Sequence, residues 1–311
     1  MAKKIMQTVS GWTPGQLDDQ AGRSFLITGA NSGIGFEAAK ILRAANGDVL
    51  IGCRSKPKGE AAVADIEAVG GSGSVQLVEI DLADTDSIRQ AVTDLHDRVD
   101  GLDAIVNNAG VMQTPPQKTA DGFEMQFGTN HLGHFLMNHL AFDLVEARGG
   151  RIVAVSSIAH RQSRGIDFDD PMLEGGYSST RAYSQSKLAN LTYGLELARR
   201  LDAAGSDAAS VSAHPGYAAT SLQSTGPTGF LKAFYKFTNL FAQSAEQGSW
   251  PLVLAAAGGE ARSGGYYGPS SVGETRGKVG DAAATNQATD PEAGRRLWEL
   301  SEQLLEISWP I

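Results

Sequence analysis

Thr28-Gly29-Ala30-Asn31-Ser32-Gly33-Ile34-Gly35 is the stretch on which the reading of this chain turns. Ser24 to Thr28 leads into it as a short apolar run, and Gly33 to Ala45 leaves it with apolar residues at helical spacing. A strand that passes through a glycine-rich turn into a helix can cradle a pyrophosphate. The glycines permit the tight turn and close backbone approach, and the helix N-terminus offers free N–H groups with a partial positive charge. The spacing is G-x-x-x-G-x-G, which differs from the G-x-G-x-x-G of the commoner dinucleotide turn. Gly29, Asn31, Ser32, Gly33, Ile34 and Gly35 are the candidate phosphate contacts.

Outward from this turn the same rhythm continues. Val49 to Cys53, Val75 to Ile80, Asp103 to Val106, Ile152 to Val155 and Ser210 to Ala213 read as further strands, with a weaker seventh around Tyr266 and Tyr267. These short β-branched runs lack alternation, as strands buried on both faces do. Pro57 to Val69 and Thr85 to Val99 read as helices, the latter capped by Asp84. The expected fold is α/β: one doubly wound, Rossmann-type domain with a mostly parallel seven-stranded sheet and helices on both faces. The domain is expected to span residues 1–311, with a polar leader over 1–22 and a substrate-covering segment over 221–248.

Composition narrows the function. With 311 residues and 41% hydrophobic content the chain can bury a large core. A net charge of −9 argues against a polyanion-binding surface, so no nucleic-acid partner is expected. One cysteine, Cys53, excludes an intrachain disulfide framework and fits a reducing compartment. No apolar run approaches the roughly 20 residues that span a bilayer, and no apolar stretch follows the N-terminal lysines as in a signal peptide. A cytoplasmic protein is expected.

The strand ends carry the next signals. In this topology the second strand ends beside the adenosine ribose, where an acidic residue would bind a 2′-hydroxyl. Arg54 stands there instead, and its guanidinium suits a 2′-phosphate, which favours NADP(H) over NAD(H). Asp81 and Leu82 close the third strand, placed to touch adenine. Asn108, Ala109 and Gly110 close the fourth, where small residues let a cofactor approach.

Ser157 lies at the end of the fifth strand, placed to hydrogen-bond a substrate oxygen. Tyr183 and Lys187 follow at i and i+4 in a helical stretch and so share a face. A free phenol titrates near ~10, and a neighbouring ammonium favours the phenolate, so Tyr183 can serve as general acid or base. His131, His134 and His139 lack carboxylate or cysteine companions at ligand spacing, and no metal is expected.

T-G-x-x-x-G-x-G, Asp81-Leu82, Asn107-Asn108-Ala109-Gly110, Asn130, Ser157, Tyr183-x-x-x-Lys187 and Pro215-Gly216 occur in one order along the chain. In that order they resemble the short-chain dehydrogenase/reductase family over nearly the whole length. Thr129-Asn130-His131-Leu132-Gly133-His134-Phe135 and Tyr183-Ser184-Gln185-Ser186-Lys187-Leu188-Ala189-Asn190 resemble its retinol dehydrogenase-like and protochlorophyllide reductase-like branch. The resemblance implies an NADPH-dependent carbonyl reductase, reversible as an alcohol dehydrogenase, acting on a bulky apolar molecule. It implies that Lys187 also binds the nicotinamide ribose, that Asn130 anchors a water in the proton relay, and that Pro215, Gly216 and Thr220 meet the nicotinamide end. It is also compatible with a homodimer or homotetramer. Two rival functions remain at this level: a non-catalytic NADP(H)-binding regulator, and a light-dependent C=C reductase of the protochlorophyllide reductase type. Phe230, Phe234, Tyr235, Phe237 and Phe241 form one apolar helical stripe. It suits a lid over the substrate, core packing or a subunit contact, and the sequence does not choose among them.

Overall fold

The computed structural model describes residues 2–217 and 243–311. Its strands are β1 (Lys3–Lys4), β2 (Ser10–Trp12), β3 (Ser24–Thr28), β4 (Asp48–Cys53), β5 (Val75–Glu79), β6 (Ala104–Asn107), β7 (Arg151–Val155), β8 (Ala209–Ala213), β9 (Tyr266–Ser271), β10 (Arg276–Asp281) and β11 (Ala283–Ala284). The main sheet runs β2-β10-β9-β8-β7-β6-β3-β4-β5, with β3 to β9 parallel and β10 and β2 antiparallel at one edge. All seven expected strands are present, but among the described residues the sheet has nine strands rather than seven. The two additional strands escape a search for doubly buried runs: β10 reads Arg-Gly-Lys-Val-Gly-Asp, and β2 is three residues long. Residues 1–22 are also more than a polar leader, since they supply β1 and β2 and bury Trp12 to 1% exposure.

The helices are α1 (Gly33–Ala44), α2 (Lys56–Glu67), α3 (Thr85–His96), α4 (Met125–Phe127), α5 (Gly133–Leu140), α6 (Phe142–Glu146), α7 (Ser179–Ala204), α8 (Ala245–Ala257), α9 (Asn286–Thr289) and α10 (Pro291–Leu305). Alternate residues of each strand feed opposite layers. Phe25, Ile27, Val49 and Ile51 pack with α1, α2 and α8, whereas Leu26, Leu50, Ile105 and Ile152 pack with α3, α5, α7 and α10. Both faces of the sheet are covered, which is why the strands need no polar face.

Two features position the site. Chain order reverses at β3, which lies between β4 and β6, and ligands of open α/β sheets bind at the carboxyl edge of such a switch point. Between α4 and α5 the chain makes a π-helical turn over Gly128–Leu132, closed by a bond from Gly133 N–H to the Gly128 carbonyl. Such turns are rare and gather at functional sites.

Candidate active site

The carboxyl ends of β3, β4, β6, β7 and β8 border one cavity of about 430 Å³. Gly29, Asn31, Ser32, Gly33, Ile34, Arg54, Asp81, Leu82, Asn108, Ala109, Gly110, Ser157, Tyr183, Lys187, Pro215 and Gly216 all line it. Gly35 and Asn130 stand behind the wall, and Thr220 lies outside the described residues. The aromatic stripe from Phe230 to Phe241 also lies outside them.

The glycine turn is shaped by steric necessity. Gly29 has φ +66°, and a Cβ there would come within 2.9 Å of Ala109 Cα. A Cβ on Gly35 would strike the Asn108 side-chain amide and come within 3.0 Å of the Gly29 carbonyl. That Asn108 amide donates to the Thr28 carbonyl at 2.8 Å, tying the β6 end to the turn. The first turn of α1 therefore opens onto a cradle of bare backbone, and a dinucleotide pyrophosphate fits it. At the β4 end Arg54 is 73% exposed along its side chain and pairs with Asp81 at 3.5 Å. An exposed pair of that length contributes little, so the guanidinium can accept a phosphate.

Ser157 caps the 3₁₀ turn Ile158–Gln162, its Oγ accepting the Ala159 N–H at 3.2 Å. A hydroxyl that accepts in this way keeps its own proton to donate. Helix α7 starts at the Ser178 cap and ends at Gly205, φ +67°, presenting Tyr183 and Lys187 one turn apart. Lys187 is 4% exposed and donates from Nζ to the Val155 carbonyl at 3.1 Å. Burial pulls its ammonium down from 10.5 to about 8. Ser156 Oγ donates to the Lys187 carbonyl at 2.7 Å, so strand end and helix are joined on both sides of the lysine.

Asn130 sits in the π-helical turn, fully buried. Its amide grips one residue of the cavity wall: Oδ1 accepts Val111 N–H at 2.8 Å, and Nδ2 donates to the Val111 carbonyl at 3.0 Å and to Ser186 Oγ at 2.9 Å. The Asn130 carbonyl accepts from His134 Nδ1 at 3.0 Å. A carbonyl only accepts, so Nδ1 carries the ring proton, and Nε2 then accepts from the Thr28 hydroxyl at 2.9 Å. Thr28 Oγ1 in turn accepts Ala109 N–H at 2.9 Å. Burial lowers His134 to about 4, which keeps the ring neutral for this arrangement. His131, lowered by burial to about 3, bonds through Nε2 to Ser301 Oγ at 2.8 Å and docks α10.

Some wall residues carry no sequence signal of their own. Val111, Met112, Gln113, Ile158, Gln162 and Thr180 reach the cavity because the loops after β6 and β7 and the start of α7 converge there. Gln243 returns the chain to the site, donating from Nε2 to the Pro215 carbonyl at 2.6 Å and from its N–H to the Tyr217 carbonyl at 3.0 Å. Only the tertiary path makes it visible.

A family model described as short chain dehydrogenase matches residues 23–228. Among curated proteins, retinol dehydrogenase 11 of Mus musculus is 38% identical over 289 residues, covering 92% of this chain and 87% of the relative. Retinol dehydrogenase 13 of Homo sapiens is 36% identical, covering 93% and 86%. Short-chain dehydrogenase/reductase prx1 of Penicillium roqueforti is 35% identical, covering 94% and 88%. Among solved structures, an uncharacterised protein from Mycobacterium paratuberculosis superposes with a TM-score of 0.80 at 36% identity, covering 97% of this chain and all of that one. A short chain dehydrogenase from Burkholderia cenocepacia in complex with NADP superposes with a TM-score of 0.61 at 25% identity, covering 80% and 96%.

Proposed function

The chain belongs to the short-chain dehydrogenase family, and within it we propose an enzyme that interconverts a hydrophobic ketone or aldehyde and its alcohol with NADP(H). One observation carries the reading. A single cavity joins a glycine cradle and the exposed Arg54 guanidinium at one side to Ser157, Tyr183 and Lys187 at the other. A bound nicotinamide would supply the hydride. Every other task falls to the chain itself.

The Ser157 hydroxyl donates to the substrate oxygen and holds it beside Tyr183. Tyr183 gives its proton to that oxygen during reduction, or takes it back during oxidation. Lys187 is cationic at neutral pH, since its ammonium titrates at about 8, and it offsets the negative charge left on Tyr183. Asn130 acts as a positioning residue through the backbone of Val111. Gly29, Ser32 and Gly33 hold the pyrophosphate, Asp81 and Leu82 border the adenine, and Arg54 takes the 2′-phosphate. The apolar wall of Val111, Met112 and Ile158 supports a hydrophobic substrate, as do the relatives named retinol dehydrogenase. We place the enzyme in the cytoplasm on the strength of its single buried cysteine. Among the described residues no helix is long and apolar enough to cross a membrane.

Oxidation of NADPH and of NADH, followed at 340 nm against carbonyls of graded size, tests the proposal. The wild type is expected to prefer NADPH. Arg54→Ala should raise KM for NADPH by about 10- to 100-fold, the worth of one charge-assisted bond, and leave NADH nearly unchanged. A wild-type preference for NADH overturns the cofactor assignment, and no turnover across the panel overturns the reaction.

A further inference from the structure

Glu274 lies in the turn between β9 and β10 at φ +65°, a left-handed backbone that residues with a side chain seldom adopt. Its carboxylate is directed to three partners from other parts of the chain. Oε2 takes the Arg161 guanidinium and His214 Nε2–H, the latter at 3.2 Å, and Oε1 accepts Ala283 N–H at 3.0 Å. Burial by itself would raise this carboxyl, yet the His214 bond and the Arg161 charge outweigh it and leave the group below the usual carboxylate range. An unusual backbone held by a fully engaged carboxylate marks a constrained position.

The two side chains it holds belong to neighbouring loops of the cavity. Arg161 lies in the 3₁₀ turn capped by Ser157, and the adjacent His160 donates from Nδ1 to the Ser157 carbonyl at 2.6 Å. His214 follows β8 directly, and its Nδ1 accepts Gly216 N–H at 3.1 Å. The ring proton therefore sits on Nε2, where it is given to Glu274. The next residue of the turn, Thr275, accepts Tyr217 N–H at 2.9 Å. Ser157, Gly216 and Tyr217 all line the cavity, and their loops are adjacent because β7 and β8 pair with Val155 opposite Ala213. The family match ends at residue 228, so this support comes from a hairpin beyond the matched region.

We propose that Glu274 is a positioning residue: through Arg161 and His214, one carboxylate holds the loops after β7 and β8 together and sets the Ser157 hydroxyl against the Pro215–Gly216 wall. Fixing two loops with one group suits a reaction that tolerates little misplacement of the reacting atoms. The role rests on the carbonyl–alcohol reading only for its kinetic consequence.

Hydrogen exchange on the ligand-free protein tests the clamp without any assay of turnover. Glu274→Ala should speed exchange of the His214, Gly216 and Tyr217 amides about tenfold while β3 to β5 keep their protection. With a carbonyl that the wild type turns over, kcat should fall about 30-fold, KM for NADPH should stay within threefold, and the isotope effect from NADPH deuterated at the transferred position should grow. Glu274→Gln, which retains the shape and one acceptor oxygen, should fall between alanine and wild type. It also serves as the readable variant where alanine does not fold. Arg276→Ala, an exposed change in the same hairpin, should match wild type. Unchanged exchange at His214, Gly216 and Tyr217 overturns the proposal, as does a kcat within twofold of wild type or a loss of protection spread evenly over the sheet. If the wild type reduces no carbonyl, the reaction assignment fails and the exchange result still decides the clamp.

Discussion

Lys187 keeps a charge in a place that disfavours it. Burial brings its ammonium from 10.5 to about 8, so the unfolded chain binds more protons than the folded one across that window. Stability contributed by this site therefore rises with pH between those values, and below about 8 the folded state bears the full cost of the buried cation. Lys187→Met removes that cost. The thermal midpoint of the variant minus that of wild type should accordingly shrink as pH goes from 8 to 10, read by scanning fluorimetry without ligand. An unchanging difference would mean that the lysine is not held in this way. Tyr183 is tested through chemistry instead: Tyr183→Phe should lower kcat by about 10²- to 10⁴-fold, the usual worth of a positioned proton donor, with NADPH binding by fluorescence within about threefold. These two side chains were legible in the sequence because their relation is local, one helical turn. The His134 bridge was legible only in its Asn130 half, one helical turn away; Thr28 lies on β3, 106 residues distant, and no short spacing encodes that meeting.

Helix α1 shows how one element is bound to its neighbour's loop. Its second glycine, Gly35, faces the Asn108 amide so closely that no side chain fits between them. Gly35→Ala should push Asn108 off the Thr28 carbonyl and tilt the helix N-terminus that forms the cradle. Overpacking of this kind costs about 1–3 kcal/mol, and we expect a lower melting temperature together with a rise of about tenfold or more in the NADPH dissociation constant. A variant that binds NADPH as wild type does would show that the cradle adjusts freely. The parallel strands were legible because burial on both faces leaves each a compact apolar run, as in Phe25-Leu26-Ile27 and Ile152-Val153-Ala154-Val155. Strand β10 was not, because only Val279, Gly280 and Asp281 of its six residues are buried and its arginine and lysine mimic a loop.

Across the whole molecule, the two chain ends complete the sheet. Trp12 near the N-terminus pairs opposite Val279 near the C-terminus, and both are buried. Trp12→Ala should cost about 3–5 kcal/mol in a urea titration, as for other buried tryptophans, and a loss below 1 kcal/mol would show the edge to be dispensable. Such an edge needs contacts between residues far apart in the chain, for which no local pattern exists. The sequence by itself determined the alternating strands and helices, the phosphate turn and the order of Ser157, Tyr183 and Lys187, because burial periodicity and helical spacing act over a few residues. Only the tertiary structure decided the antiparallel edge, the grip of Asn130 on Val111, the bond of neutral His134 to Thr28 and the Glu274 clamp. Each of those depends on which distant groups become neighbours once the sheet is assembled and water is excluded, and that is a property of the packed chain rather than of any segment.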